Sequence, residues 1–247
     1  MNSQTNRLYV GWQSPEDKTW HCIGELSRDE LGTSVSGYCF RYLRGAQTAS
    51  GFGPLAGLPD LFGQYCSDQL FGVFTTRLMP QGRPDRPQYL KWLRLGASDG
   101  PIEELARSGG IRSSDSIQLF PAPTKHEGRY QTQFFAHGLS HQGATAISAA
   151  QHLHEGDLLY LAPEPDNQHD GCAIAIQTRA LRIGFVPRFL SCDIGELLRA
   201  GDAPLSVEAV NTDAPLSHRL LCRFSAPWPD GFEPFNRDEF QPLAAAV

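Results

Sequence analysis

Two apolar runs of strand type, Leu159-Tyr-Leu-Ala162 and Gly171-Cys-Ala-Ile-Ala-Ile176, bracket the turn Pro163-Glu-Pro-Asp-Asn-Gln-His-Asp170. Proline lacks a backbone donor and fixes φ, and Asx side chains bond their own backbone, so this text reverses the chain and cannot continue a helix. A third short run, Leu181-Arg-Ile-Gly-Phe-Val186, ends at Pro187-Arg188. Such spacing predicts a small antiparallel β module. Its crowded turn, with an arginine just beyond the third strand, has the look of a binding site and none of the marks of a catalytic centre.

The same reading extends through the second half of the chain. Arg129 to Gly138, Gly156 to Leu161, Pro204 to Val210 and Arg219 to Phe224 are of strand type; Ala144 to Leu153 and Phe189 to Leu198 are helical. Many short strands with one or two helices predict a small closed or nearly closed β-barrel over residues 129–227. The tail, 228–247, mixes aromatics with acids and is expected as a strap over apolar surface or a docking peptide.

The first half reads as a separate α+β domain over residues 1–97. Arg7 to Trp12, Trp20 to Leu26 and Val35 to Leu43 alternate as strands. Ser67 to Leu78 predicts a helix with a Ser67 cap and an apolar stripe of Leu70, Phe71, Phe74 and Leu78. Pro84 to Leu93 predicts another, with Pro87 in its first turn. Residues 98–128 are read as a connecting segment holding one short helix, Pro101 to Arg107, closed by Gly109-Gly110, and a possible strand, Ser116 to Phe120. The whole is a β-rich α+β chain of two domains.

Composition narrows the function classes. The net charge is −6, which excludes a binder relying on a broad basic surface, so any phosphate binding must be local. Of 21 basic residues only Lys18, Lys91 and Lys125 are lysine; arginine suits bidentate phosphate contacts. The six cysteines, Cys22, Cys39, Cys66, Cys172, Cys192 and Cys222, show no CxxC pair and read as isolated small core residues, with neither a zinc site nor a disulfide framework. His137, His141, His152 and His154 lack a completing Cys or carboxylate at ligand spacing, so no metal or cofactor is expected. Glu164 has no partner carboxylate, nucleophile elbow or triad order, so no enzymatic role is expected. No apolar stretch or leader core is visible, and a cytoplasmic protein away from membranes is expected.

Two resemblances follow. Gly24-Glu-Leu26, Phe40-Arg-Tyr42, Pro54-Leu55, Leu58-Pro59 and Leu70-Phe-Gly-Val-Phe74 resemble the small N-terminal subdomain of HipA-type toxin kinases over residues 7–95. That resemblance implies packing and partner contacts; the phosphate loop and catalytic segment of the kinase body do not follow in this sequence. Gly138-Leu-Ser-His141, Gly156-Asp-x-Leu-x-Leu161, Glu164-Pro-x-Asn-x-x-Asp170, Ala173-Ile174 and Ile183-Gly-Phe-Val-Pro-Arg188 are similar, in order, to the HIRAN domain. The similarity implies an OB-like or SH3-like barrel, which in members attached to fork-remodelling ATPases grips the 3′ end of single-stranded DNA.

Carried onto this sequence, the similarity implies a DNA-binding set of Ser140, His141, Asn167, His169, Asp170, Phe185 and Arg188. Asp170 would accept from a sugar hydroxyl, Arg188 would fork onto a phosphate, and Phe185 would offer a stacking face. Gln168-His169 replaces the family's Pro-Tyr, and Ser140-His141 stands where an Arg-Tyr pair is expected, so weaker or differently selective binding is implied. Asn167 and Asp170 also fit a plain turn-capping role, and Arg188 a solvated strand end; both readings stand. The expected function is non-catalytic binding of single-stranded DNA or its 3′ end. The alternative is an adaptor that recognises a partner kinase or DNA-processing enzyme through residues 7–95, with a degenerate barrel.

Overall fold

Alternating strands that bury one face must find a covering layer, and this chain builds two such arrangements. In the computed structural model, residues 6–16, 18–30, 36–168 and 170–243 are described. They fall into two compact units, residues 1–122 with 235–247, and residues 123–234. Among the described residues no helix is long and apolar enough to cross a membrane.

The first unit is an antiparallel five-stranded sheet of β1 (Arg7–Gln13), β2 (Trp20–Glu30), β3 (Ser36–Tyr42), β4 (Gln64–Ser67) and β5 (Ile117–Pro121), ordered β4-β3-β2-β1-β5. Alternation sends Leu8, Val10, Ile23, Phe40, Tyr42 and Leu119 into a core that Phe74, Ile102 and Leu105 complete. Among the described residues, the α-helices α1 (Arg44–Thr48), α2 (Gly72–Thr75), α3 (Arg86–Trp92) and α4 (Pro101–Ser108) accompany it. α1 fits closely on β2 because Gly45 has no side chain; a Cβ there would overlap the Cys22 carbonyl. The buried Tyr42 hydroxyl donates to Leu58 O (2.7 Å) and accepts from Leu55 N–H (2.6 Å), fixing the Pro-rich loop after β3.

Three expectations for this half are corrected. Ser67 does not cap a helix running to Leu78. It ends strand β4, with its Oγ accepting from Gln69 N–H (3.0 Å). Only one helical turn, α2, forms beyond it, because Gly72 and β-branched Val73 propagate a helix poorly. The apolar stripe still faces inward, with Phe74 buried and Leu70, Phe71 and Leu78 packed against the core. Residues 98–128, read as a connection with a short helix and a possible strand, do form that helix and strand, but up to Ala122 they belong to the first unit: α4 contributes Ile102 and Leu105 to the core, and β5 pairs with β1 from Leu8↔Pro121 to Trp12↔Ile117. Cys39 and Cys66 stand directly opposite each other on β3 and β4 and form a disulfide, so two of the six cysteines are not isolated core residues. Sequence spacing carries no trace of that register.

The second unit is a seven-stranded antiparallel sheet of β6 (Thr124–His126), β7 (Arg129–Phe135), β8 (Leu158–Pro163), β9 (Ile174–Gln177), β10 (Arg182–Phe185), β11 (Leu205–Val210) and β12 (Leu220–Pro227), ordered β10-β9-β8-β11-β12-β7-β6. It curls into a half-barrel. Just past β7, His137 and Phe185 exchange two backbone hydrogen bonds of 2.9 Å, so the chain leaving β7 meets edge strand β10. That approach needs glycine: a Cβ on Gly184 would lie 2.8 Å from His137 O. α5 (Gly143–Gln151) and α6 (Arg188–Ala200) complete the unit, and Leu190, Ile194 and Leu197 of α6 are buried. The fold class read from sequence, β-rich α+β with a barrel-type sheet in the second half, is the fold observed, and the sheet is a half-barrel where a closed or nearly closed one was expected. The tail divides its aromatics: Trp228 and Phe232 pack on Tyr130 in this unit, while Phe235 and Phe240 pack on Tyr9 and Phe120 in the first.

Candidate functional site

The turn between β8 and β9 is organised by its own side chains. Glu164 N–H donates to Ala173 O (2.8 Å), closing the base. Asn167 Nδ2 donates to Glu164 Oε2 (3.0 Å), and Asn167 Oδ1 accepts from Asp170 N–H (3.2 Å). Asp170 Oδ1 in turn accepts from Cys172 N–H (3.0 Å). These are the short-range bonds that Asx residues make in turns.

Asp170 also reaches outward. Its Oδ2 lies 3.3 Å from Nε of Arg188, with the aspartate side chain 19% exposed and the arginine 43%. Arg188 is the first residue of α6, which corrects its reading as a solvated strand end. Pro187 precedes it as the N-cap, so the positive end of the helix dipole lies at this point.

A second arginine joins the network from β10. Arg182 Nη1 bonds Glu164 Oε1 (2.8 Å), its Nε donates to Gln142 Oε1 (2.8 Å), and its guanidinium sits 5.1 Å from the centroid of the Phe185 ring. Gln142 Nε2 donates to Gly138 O (3.3 Å). A path of hydrogen bonds therefore runs from Gly138 through Gln142, Arg182, Glu164 and Asn167 to Asp170, and an ion pair extends it to Arg188. The Asn167 amide first, and Arg182 second, hold the Glu164 carboxyl below its ordinary pKa, so it is a charged acceptor at neutral pH.

Asn167, Asp170 and Arg188 thus share one bonded cluster, and half-buried Phe185 joins it through Arg182. Ser140 and His141 are exposed on the one-turn 3₁₀ helix Leu139–His141 that follows Gly138, a left-handed residue at φ 71°. Their neighbour Gln142 is the one that enters the network. His169 lies outside the described residues. Partly buried His137 precedes this corner, and desolvation of its ring lowers its pKa to about 4. Among the described residues no three His, Cys, Asp or Glu side chains gather as a metal-ligand set.

Arg182 and Gln142 were not singled out from sequence. Arg182 and Phe185 are three residues apart, which by strict alternation puts them on opposite faces. The irregular register between Arg182 and Gly184 brings both to one side. Nothing in the local text announces that irregularity except the glycine itself.

Comparison with known proteins concentrates on this unit. A HIRAN domain family model matches residues 130–229, a stretch within the second unit, and leaves the HipA-like stretch, residues 7–95, outside the match. No curated protein matches the chain. Among solved structures, a protein from Lactobacillus plantarum is similar at 17% identity and a TM-score of 0.33, over 40% of this chain and 97% of that one. The HIRAN domain of human HLTF is similar at 14% identity and a TM-score of 0.31, over 40% of this chain and 76% of that one.

Proposed function

We propose that the second unit binds nucleic acid without catalysing a reaction, and that the surface from Ser140 and His141 through Asp170 to Arg188 receives a single-stranded DNA end. The HIRAN match over residues 130–229 supports the nucleic-acid reading. The observation that carries the site is the Asp170–Arg188 pair: a carboxylate and a guanidinium 3.3 Å apart, both reachable from solvent, at the start of a helix.

Such a pair is exchangeable. A terminal nucleotide offers a phosphate, which accepts from a guanidinium, and a 3′-hydroxyl, which donates to a carboxylate. Arg188 leaves Asp170 for the phosphate, and the hydroxyl takes the vacated Oδ2. The positive end of α6 favours the same phosphate. Phe185 supplies a ring for a base, a contact worth about 1 to 3 kcal/mol when made, with Arg182 already on it. A 3′-phosphate would set like charge against Asp170 and lose the donated hydrogen bond.

The test compares single-stranded oligonucleotides with free and phosphorylated 3′ ends on the wild type, Arg188→Ala and Asp170→Ala. Weaker binding of the phosphorylated end, and of both variants, is expected. Equal binding of both ends removes end recognition, and no binding at moderate salt removes the nucleic-acid reading. The second reading, an adaptor that recognises a partner kinase or DNA-processing enzyme through residues 7–95, would be favoured by an Arg188 buried in its pair with Asp170; that arginine is 43% exposed.

A further inference from the structure

Four cysteines lie outside the Cys39–Cys66 disulfide, and they divide sharply. Cys22 and Cys222 are buried, and desolvation pushes both thiols up, away from the reactive thiolate. Cys172 is exposed and Cys192 half-buried, and their sulfurs lie 3.0 Å apart. A disulfide needs about 2.05 Å between sulfurs, so closure asks for roughly one ångström of movement. The two residues come from different elements: Cys172 closes the Asp170 turn, and Cys192 lies one helical turn beyond Arg188 on α6.

We propose that Cys172 and Cys192 form an oxidisable dithiol that closes to an intramolecular disulfide, with a low-molecular-weight disulfide such as oxidised glutathione as the oxidant. The Cys172 thiolate, the more accessible, attacks one sulfur of the oxidant and expels one glutathione thiolate. The Cys192 thiolate then attacks the protein sulfur of that mixed disulfide and expels the second. Two protein thiols lose two protons and two electrons, and one oxidised glutathione becomes two reduced ones. The new bond staples the turn that carries Asp170 to the helix that begins at Arg188. The proposal stands on the sulfur geometry and is independent of what the site binds.

The experiment exposes the reduced protein to oxidised glutathione and follows it by intact mass and non-reducing peptide mapping. The map separates this pair from Cys39–Cys66. The expected result is a Cys172–Cys192 linked peptide, loss of both thiols to alkylation, and no glutathione retained on either. Cys192→Ser should instead keep one glutathione on Cys172, because the resolving thiol is gone. Stable glutathione on either residue of the wild type, two thiols that remain alkylatable, or linkage between chains would overturn the proposal.

Discussion

Both units carry open arginine–carboxylate pairs, but the first also holds enclosed ones. In the first, Arg86 and Glu104 meet at 2.6 Å with side chains 12% and 4% exposed, and Glu104 also accepts from Met79 N–H while Arg86 donates to Met79 O. Arg77 bonds Asp115, Gly110 O and Val73 O in the same enclosed manner. In the second unit, Arg188–Asp170 and Arg182–Glu164 sit at a rim with arginines about as open as they are closed. A buried pair that also bonds backbone groups of a neighbouring segment holds that segment in place. A rim pair costs little to open, so its partners remain available to a ligand.

Breaking the first kind should produce the largest effect. Glu104→Ala leaves the Arg86 guanidinium buried without its partner and should destabilise the first unit by about 3 to 5 kcal/mol, read by denaturant unfolding. Replacing Arg86 and Glu104 together by apolar residues of similar volume should recover much of that loss. If the single and double variants are equally damaged, the pair is not the cause.

Acid gives the next largest effect and acts on the second unit. His137 has a folded pKa of about 4 against 6.5 in the open chain. Above 6.5 neither state binds the proton and stability is complete; between 6.5 and about 4 the unfolded chain takes it up and the fold does not. Stability should therefore fall as pH drops through that window, by up to one proton's linkage. Thermal melts of His137→Asn should show a smaller slope, with the remainder due in part to His218, whose ring burial also lowers its pKa.

Arg188→Ala tests the rim. Nucleic-acid affinity should fall about tenfold or more, as for loss of a charge-assisted hydrogen bond of about 1.5 to 3 kcal/mol, while stability changes by less than about 1 kcal/mol. A destabilisation comparable to Glu104→Ala would place this pair with the structural ones. The smallest effect belongs to Glu164→Gln: it removes a charge from an open pair, and unfolding should shift by under about 1 kcal/mol.

Much of the fold was legible because it rests on local text. Strand alternation marked β1, β2, β3 and six of the seven strands of the second sheet; residues 121–128 read as a loop or hinge, yet Thr124–His126 forms β6 on β7. Pro101 with Gly109 bounded α4, where Gly109 adopts φ 70°. Strand β4 was hidden: Gln64-Tyr-Cys-Ser67 is four residues long and runs straight into apolar text of helical spacing. Its existence depends on β3 offering an edge. At the candidate site, Asn167 and Asp170 were visible as turn residues, since their bonds span two or three positions. Arg182 and Gln142 were invisible, since they meet across 40 positions.

The same division separates what local order determines from what needs the assembled molecule. Composition and periodicity suffice for element type, turn chemistry and the β-rich character of both halves, because propensity and alternation act within a few residues. Pairing, charge exchange and burial belong to the tertiary structure. The Cys39–Cys66 bond, the contact of Cys172 with Cys192, the addition of β5 to the first sheet and the meeting of Asp170 with Arg188 all depend on strand register and helix placement. Those are set by which apolar faces must be buried against each other, a condition that exists only once the chain has closed on itself.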